Sequence, residues 1–188
     1  MKILGILASH DNSGITAQML ANVLRPANGK CDSETIYLDD YQIKPDLPGK
    51  SNPTLDLLEK KLSESDVWVL AVPTYWKDIS GTMKNFFDCI RSRIVRFDHT
   101  GQMHPSIFQN KHYVSLTCCF TSSFENLFSG ITDQTFKEID LVMSAAGLIK
   151  VDELVTCGTF NMKKLPENKR QQCVKIGEKI VKKTRRDD

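Results

Sequence analysis

The sequence predicts a three-layer α/β sandwich in which five parallel strands alternate with helices that cover both faces of the sheet. Short β-branched apolar runs recur along the chain, and each leads into a longer segment with helical periodicity. Runs such as Lys2–Ala8 and Val67–Val72 are apolar without alternation, as strands covered on both faces are. With 188 residues, 40% of them hydrophobic, the chain suits one domain, 1–188, with a substantial core. Five strands in about this length fit the order 2-1-3-4-5, a topology that places ligands outside the carboxyl ends of the strands at the switch point.

The elements follow in order. Lys2–Ala8 is the first strand. After a polar loop, Ile15, Met19, Leu20, Val23 and Leu24 mark one face of a helix that should stop near Arg25-Pro26, because proline disfavours helical geometry in the residue before it. Glu34–Leu38 is a second strand, followed by a Pro- and Gly-containing loop from Tyr41 to Asn52. Asn52-Pro53 has the chemistry of a helix cap and first position for a helix carrying Leu55, Leu58 and Leu62. Val67–Val72 is the third strand, and Met83, Phe86, Phe87 and Ile90 define the helix after it. Arg91–Asn110, polar and broken by Gly101 and Pro105, reads as a helix tail and a long surface loop. Tyr113–Cys118 is a fourth strand, Phe136–Ala146 a helix, Ile149–Cys157 a fifth strand, and Glu167–Lys183 a closing helix.

Composition removes several function classes. A formal net charge of +2 gives no electrostatic footprint for nucleic acid or an anionic membrane. The basic run Lys182–Arg186 suits a helix C-terminus better than a nucleic-acid tail. The apolar N-terminal run is too short for a signal-peptide core or a membrane span, so a cytoplasmic location is expected. The 6 cysteines form no C-x-x-C pair and no zinc spacing, so reduced thiols are expected and no metal site.

Two loops carry the chemistry. The first, Ser9-His10-Asp11-Asn12-Ser13-Gly14-Ile15-Thr16, opens directly into a helix. Its hydroxyls and the free N–H groups of a helix N-terminus form either an anion nest or an ordinary cap built on Ser13. It holds neither a P-loop nor a dinucleotide fingerprint. The second, Pro73-Thr74-Tyr75-Trp76, sets two aromatic rings at the carboxyl end of a central strand, as a platform for a planar ligand or as cover for an oligomer contact.

A hydroxyl-rich first loop followed by P-T-Y-W and I-S-G-x-M-K-N-F-x-D resembles the NADPH-dependent FMN reductase family, which has the flavodoxin-like fold. The resemblance implies that Ser9, Ser13, Gly14 and Thr16 hold the FMN phosphate. Pro73, Thr74, Tyr75 and Trp76 would line the isoalloxazine ring, with Thr117, Cys118 and Cys119 in a third flavin loop. It further implies NAD(P)H as electron donor, hydride passing to the flavin and then to a quinone, flavin, azo or nitro acceptor, with no side-chain acid or base needed. A homodimer or homotetramer is expected, with Phe86, Phe87 and the Arg91–Asn110 segment as candidate contacts. The chain departs from the family where Ala8-Ser9 replaces Gly-Ser and Asp11 replaces a basic residue, with His10 a candidate to compensate. The Tyr41–Asn52 loop lacks the cysteine cluster of iron–sulfur relatives, and vicinal cysteines stand where glycine is usual, either redox-active or simply buried. Two rivals stay open: an electron carrier without a nicotinamide site, against which the +2 charge argues, and a binding module that has lost its flavin.

Overall fold

A computed structural model of the chain describes residues 1–184. Strands β1 (Lys2–Leu7), β2 (Asp32–Tyr37), β3 (Val67–Pro73), β6 (His112–Cys118) and β7 (Ile149–Thr156) form a parallel sheet in the order β2-β1-β3-β6-β7. Numbered among themselves these strands have the expected order 2-1-3-4-5, and the fold is flavodoxin-like. The central strand β3 is buried at every residue, which is why its sequence shows no alternation.

Helices α1 (Ile15–Leu24) and α6 (Glu167–Thr184) cover one face, closing a core that includes Met19, Val23, Val69, Leu116, Cys173 and Ile180. Helices α2 (Pro53–Ser63), α3 (Gly81–Ile94) and α5 (Asp133–Ala145) cover the other, over Leu58, Leu70, Phe86, Phe87 and Ile139. Phe86 and Phe87 therefore belong to the core and offer no surface contact. The two helices on the first face meet closely at Gly177. A Cβ there would run into the Val23 carbonyl oxygen and come within 2.9 Å of the Pro26 ring carbons.

Arg91–Asn110 is more ordered than its composition suggests. Helix α3 continues to Ile94, and the chain then forms an antiparallel hairpin of β4 (Val95–Phe97) and β5 (Met103–Pro105). Asp98 organises its turn, accepting hydrogen bonds from the N–H of Thr100 at 2.8 Å and of Gln102 at 3.0 Å. Phe108 anchors the return, fully buried edge-on against Trp68 with ring centroids 5.2 Å apart. A further helix, α4 (Ser123–Ser129), lies between β6 and α5 and buries none of its residues. It is held by a capping box between Ser122 and Glu125 and ends on a left-handed Gly130. Arg185 and Arg186 lie outside the described residues.

Candidate functional site

The loops after β1, β3, β6 and β7 converge at the carboxyl edge of the sheet, on either side of the β1/β3 switch point. They enclose a polar cavity of about 240 Å³ lined by Ser9, Asp11, Gly14, Thr16, Tyr75, Cys118 and Phe160 among others. A second, apolar cavity of about 570 Å³ opens beside it between the Tyr75-Trp76 turn, Phe120 and Ile131. The two share Thr74, Tyr75, Cys119 and Phe120 as walls.

The first loop supplies a helix N-terminus. Helix α1 begins after Gly14 with no side-chain cap, so of the two readings of this loop the ordinary cap built on Ser13 is not made. Uncapped first-turn amides carry partial positive charge toward the space that Gly14, Ile15 and Thr16 line. The Ser13 hydroxyl and N–H both donate to the Asp11 carboxylate instead, at 2.7 and 2.8 Å. Those bonds hold the Asp11 carboxyl below the ordinary carboxylate range, so it is an anion at neutral pH. Gly14 leaves room for that carboxylate, since a Cβ there would come within 2.9 Å of it and press the Asp11 side chain to shift. His10 turns away to Asp39, 2.6 Å from its carboxylate, and takes no part in the cavity.

The second loop is a tight turn. Tyr75 and Asp78 exchange backbone hydrogen bonds of 3.0 and 2.9 Å, and between them Trp76 and Lys77 both have positive φ, 55° and 67°. This is the geometry that ordinarily selects Asn-Gly, adopted here by two residues with side chains. The indole of Trp76 is fully exposed at the tip. Lys77 donates to the Ser129 carbonyl at the end of α4, tying the turn to the third loop. Thr74 faces inward, its hydroxyl 2.8 Å from both Thr117 and Thr135.

Of the residues expected to hold a cofactor, Ser9, Gly14, Thr16, Pro73, Thr74, Tyr75, Cys118 and Cys119 come together around the polar cavity, and Trp76 joins at the apolar one. Ser13 and Thr117 line neither. Thr16 meets Cys118, oxygen to sulfur, at 3.0 Å, and burial pushes the Cys118 thiol pKa up. Thr159, Phe160 and Met162, after β7, complete the polar cavity and were not anticipated. No local motif marks them; the strand order alone brings their loop to this edge. Among the described residues, no group of three His, Cys, Asp or Glu side chains is placed to hold a metal, and no helix is long and apolar enough to cross a membrane.

Known proteins agree with this architecture. The NADPH-dependent FMN reductase profile matches residues 1–121. The chain belongs to that family. Membership places it among the FMN-type flavoprotein oxidoreductases. Its fold is similar to that of an NAD(P)H:quinone oxidoreductase from Methanothermobacter marburgensis, with a TM-score of 0.75 at 11% identity over 96% of this chain and 97% of that one. An FMN-dependent NADH-azoreductase from Bacillus anthracis str. Ames Ancestor, solved in complex with FMN, superposes with a TM-score of 0.73 at 13% identity over 97% of this chain and 98% of its own. A flavodoxin from the domain Archaea matches with a TM-score of 0.61 and 16% identity, over 98% and 99% of the two chains. No curated protein matches the chain in sequence.

Proposed function

We propose that this chain, folded as one domain, is an FMN-dependent oxidoreductase that takes electrons from NAD(P)H and delivers them to a small planar acceptor such as a quinone, flavin, azo or nitro compound. The observation that carries this reading is the pair of adjoining cavities: a polar one at an uncapped helix N-terminus and an apolar one walled by exposed aromatic rings. That sequence of environments suits a molecule with an anionic end and a planar apolar end. Ser9, Gly14 and the first-turn amides of α1 would receive the phosphate. The Tyr75-Trp76 turn and the Cys118-Cys119 backbone would bound the ring.

When bound, FMN supplies hydride acceptance from a nicotinamide and two-electron return to an acceptor at the same face. The chain's own share is placement and exclusion. Tyr75, a little over one-third exposed, and Phe120, about two-thirds exposed, wall one side of the apolar cavity and would cover one edge of a bound ring while leaving room for a second planar molecule. No side chain in the site is set up as a general acid or base; burial raises the Tyr75 pKa further from neutrality. Assembly as a homodimer or homotetramer would cover the exposed Phe124, Leu127 and Phe128 of α4, which otherwise form an apolar surface beside the site.

The first measurement is the visible spectrum of the purified protein before and after incubation with FMN and removal of the excess. A retained flavin spectrum followed by NADPH or NADH oxidation with a quinone supports the reductase. Retained flavin with negligible nicotinamide turnover identifies an electron carrier. One observation favours a flavin-free module instead: the Asp11 carboxylate engages the Ser13 donors at the entrance to the nest. Failure to retain FMN at high concentration would establish that reading and overturn ours.

A further inference from the structure

The strand register brings together two cysteines that are far apart in sequence. The last ladder pair between β6 and β7 is Cys118 with Thr156, so the next residues of the two parallel strands are Cys119 and Cys157. The pairing continues into the loops: the Cys119 N–H donates to the Thr156 carbonyl at 3.0 Å. The Cys119 carbonyl accepts from the Thr159 N–H at 3.1 Å and from the Thr159 hydroxyl at 3.0 Å. Adjacent strands lie about 4.8 Å apart, within the Cα separation of about 4.4–6.8 Å that a disulfide spans. Successive side chains in a strand alternate faces, and Cys118 points to the α1 side, where Thr16 meets it. Cys119 therefore faces the other way, the side to which the register also turns Cys157. Cys157 is partly exposed and Cys119 is 3% exposed.

We propose that Cys119 and Cys157 are a redox modification site, a dithiol that hydrogen peroxide closes reversibly to a disulfide behind the cavity wall that Cys119 forms. The more accessible Cys157 sulfur, as thiolate, attacks one peroxide oxygen. The O–O bond breaks, and the leaving hydroxide takes up a proton to become water, leaving a sulfenic acid on Cys157. The Cys119 sulfur then attacks the Cys157 sulfur, forming the S–S bond and breaking the S–O bond. The second oxygen leaves as water with the Cys119 proton. The two thiols lose two electrons and peroxide gains them.

The existing backbone bonds hold both partners in place, so closure needs a side-chain rotation, in which Cys119 leaves Thr121, now 3.3 Å from its sulfur. Burial and the neighbouring Cys119 push the Cys157 thiol up to about 11. Little thiolate is present at neutral pH, which makes this a slow mark of sustained oxidation rather than a peroxidase centre. The proposal concerns the thiols alone and stands or falls independently of flavin binding.

The test is to treat the purified chain with a modest molar excess of hydrogen peroxide, block free thiols and map the peptides without reduction. The expected result is a Cys119–Cys157 linked peptide, two hydrogens lighter than its parts, restored by dithiothreitol. Cys118→Ser should still form it, and Cys157→Ser should not. A Cys118–Cys119 link, a link found only between chains in covalent dimers, or Cys157 oxidised beyond sulfenic acid without a link would each overturn the proposal. So would thiols that all remain free after prolonged treatment.

Discussion

Replacing Gly177 by alanine sets two effects of opposite sign against each other. Within a helix, Gly→Ala contributes about 1 kcal/mol of stability through backbone entropy. At this position, however, the new methyl would overlap the Val23 carbonyl oxygen and press within 2.9 Å of Pro26. A backbone carbonyl cannot rotate away, so α6 must lift from α1 by about 1 Å, loosening a seam made by Met19, Val23, Cys173 and Ile180, each 1% exposed or less. Overpacking of a dense contact costs about 3 kcal/mol at its upper range, leaving a net loss of about 2 kcal/mol after the helix gain. For a chain of this size that lowers the melting midpoint by about 4–8 °C. Thermal and urea unfolding of the flavin-free protein read this directly, with Glu178→Ala on the exposed side of α6 as control. Because α1 presents Gly14 and Thr16 to the polar cavity, the same variant should also bind FMN more weakly while the control does not. A melting midpoint that rises or stays put in Gly177→Ala would refute the close-contact reasoning, since helix propensity alone would then account for the result.

Three other outcomes follow. Changing Trp76-Lys77 to Asn-Gly relieves two positive-φ residues and should stabilise the fold by about 1 kcal/mol in urea titrations, while acceptor turnover falls because the exposed indole is gone. Asp11→Asn removes an anion from the mouth of the nest and should tighten FMN several-fold by fluorescence titration at low salt, with the gain shrinking as salt is added. Arg93 bridges Asp46, Asp56 and Glu59 at 3.0, 2.6 and 2.9 Å, and Arg93→Met should cost about 1–2 kcal/mol at pH 7. The Asp46 carboxyl is held below its ordinary range by Arg93, so its contribution is present above the unfolded value near 4. That contribution is lost as pH falls, and denaturation at pH 7, 5 and 3 should show the wild-type advantage keeping its size to about pH 5 and shrinking below.

What the sequence made legible were the features whose cause is local. Uninterrupted apolar runs reported strands covered on both faces, and the Met83-Phe86-Phe87-Ile90 spacing reported a buried helical face. Helix α4 was missed although Ser122, Glu125 and Gly130 spell its caps, because its apolar residues face outward and show no core-facing period. The β4–β5 hairpin was missed for a different reason. Its stability comes from Asp98 binding its own turn and from Phe108 entering a socket made by Trp68 of another strand. At the site, hydroxyls could be counted in the sequence but not aimed. Ser13 turns to Asp11 and Thr117 to Thr74, choices set by neighbours that only the fold supplies. The Cys119–Cys157 approach is likewise a matter of strand register, invisible to spacing along the chain.

The aromatic turn shows how the site can be rigid at its base and open at its tip. Thr74 is locked among Thr117 and Thr135, three buried hydroxyls that satisfy one another and fix the end of β3 to β6 and α5. One residue on, Tyr75 and Asp78 close a two-residue turn that forces Trp76 and Lys77 into an unfavourable backbone region. Lys77 then binds the last carbonyl of α4, so the strained turn is held from both sides. A looser or glycine-containing turn would relieve that strain and release the indole from a defined position. Being fully exposed, the indole gains nothing for folding from this placement, and the role proposed for Trp76 at the apolar cavity would account for a strain that stability does not. On this reasoning Trp76→Gly should unfold at higher urea than wild type yet bind a planar acceptor less well, two changes that a merely structural residue would move in the same direction.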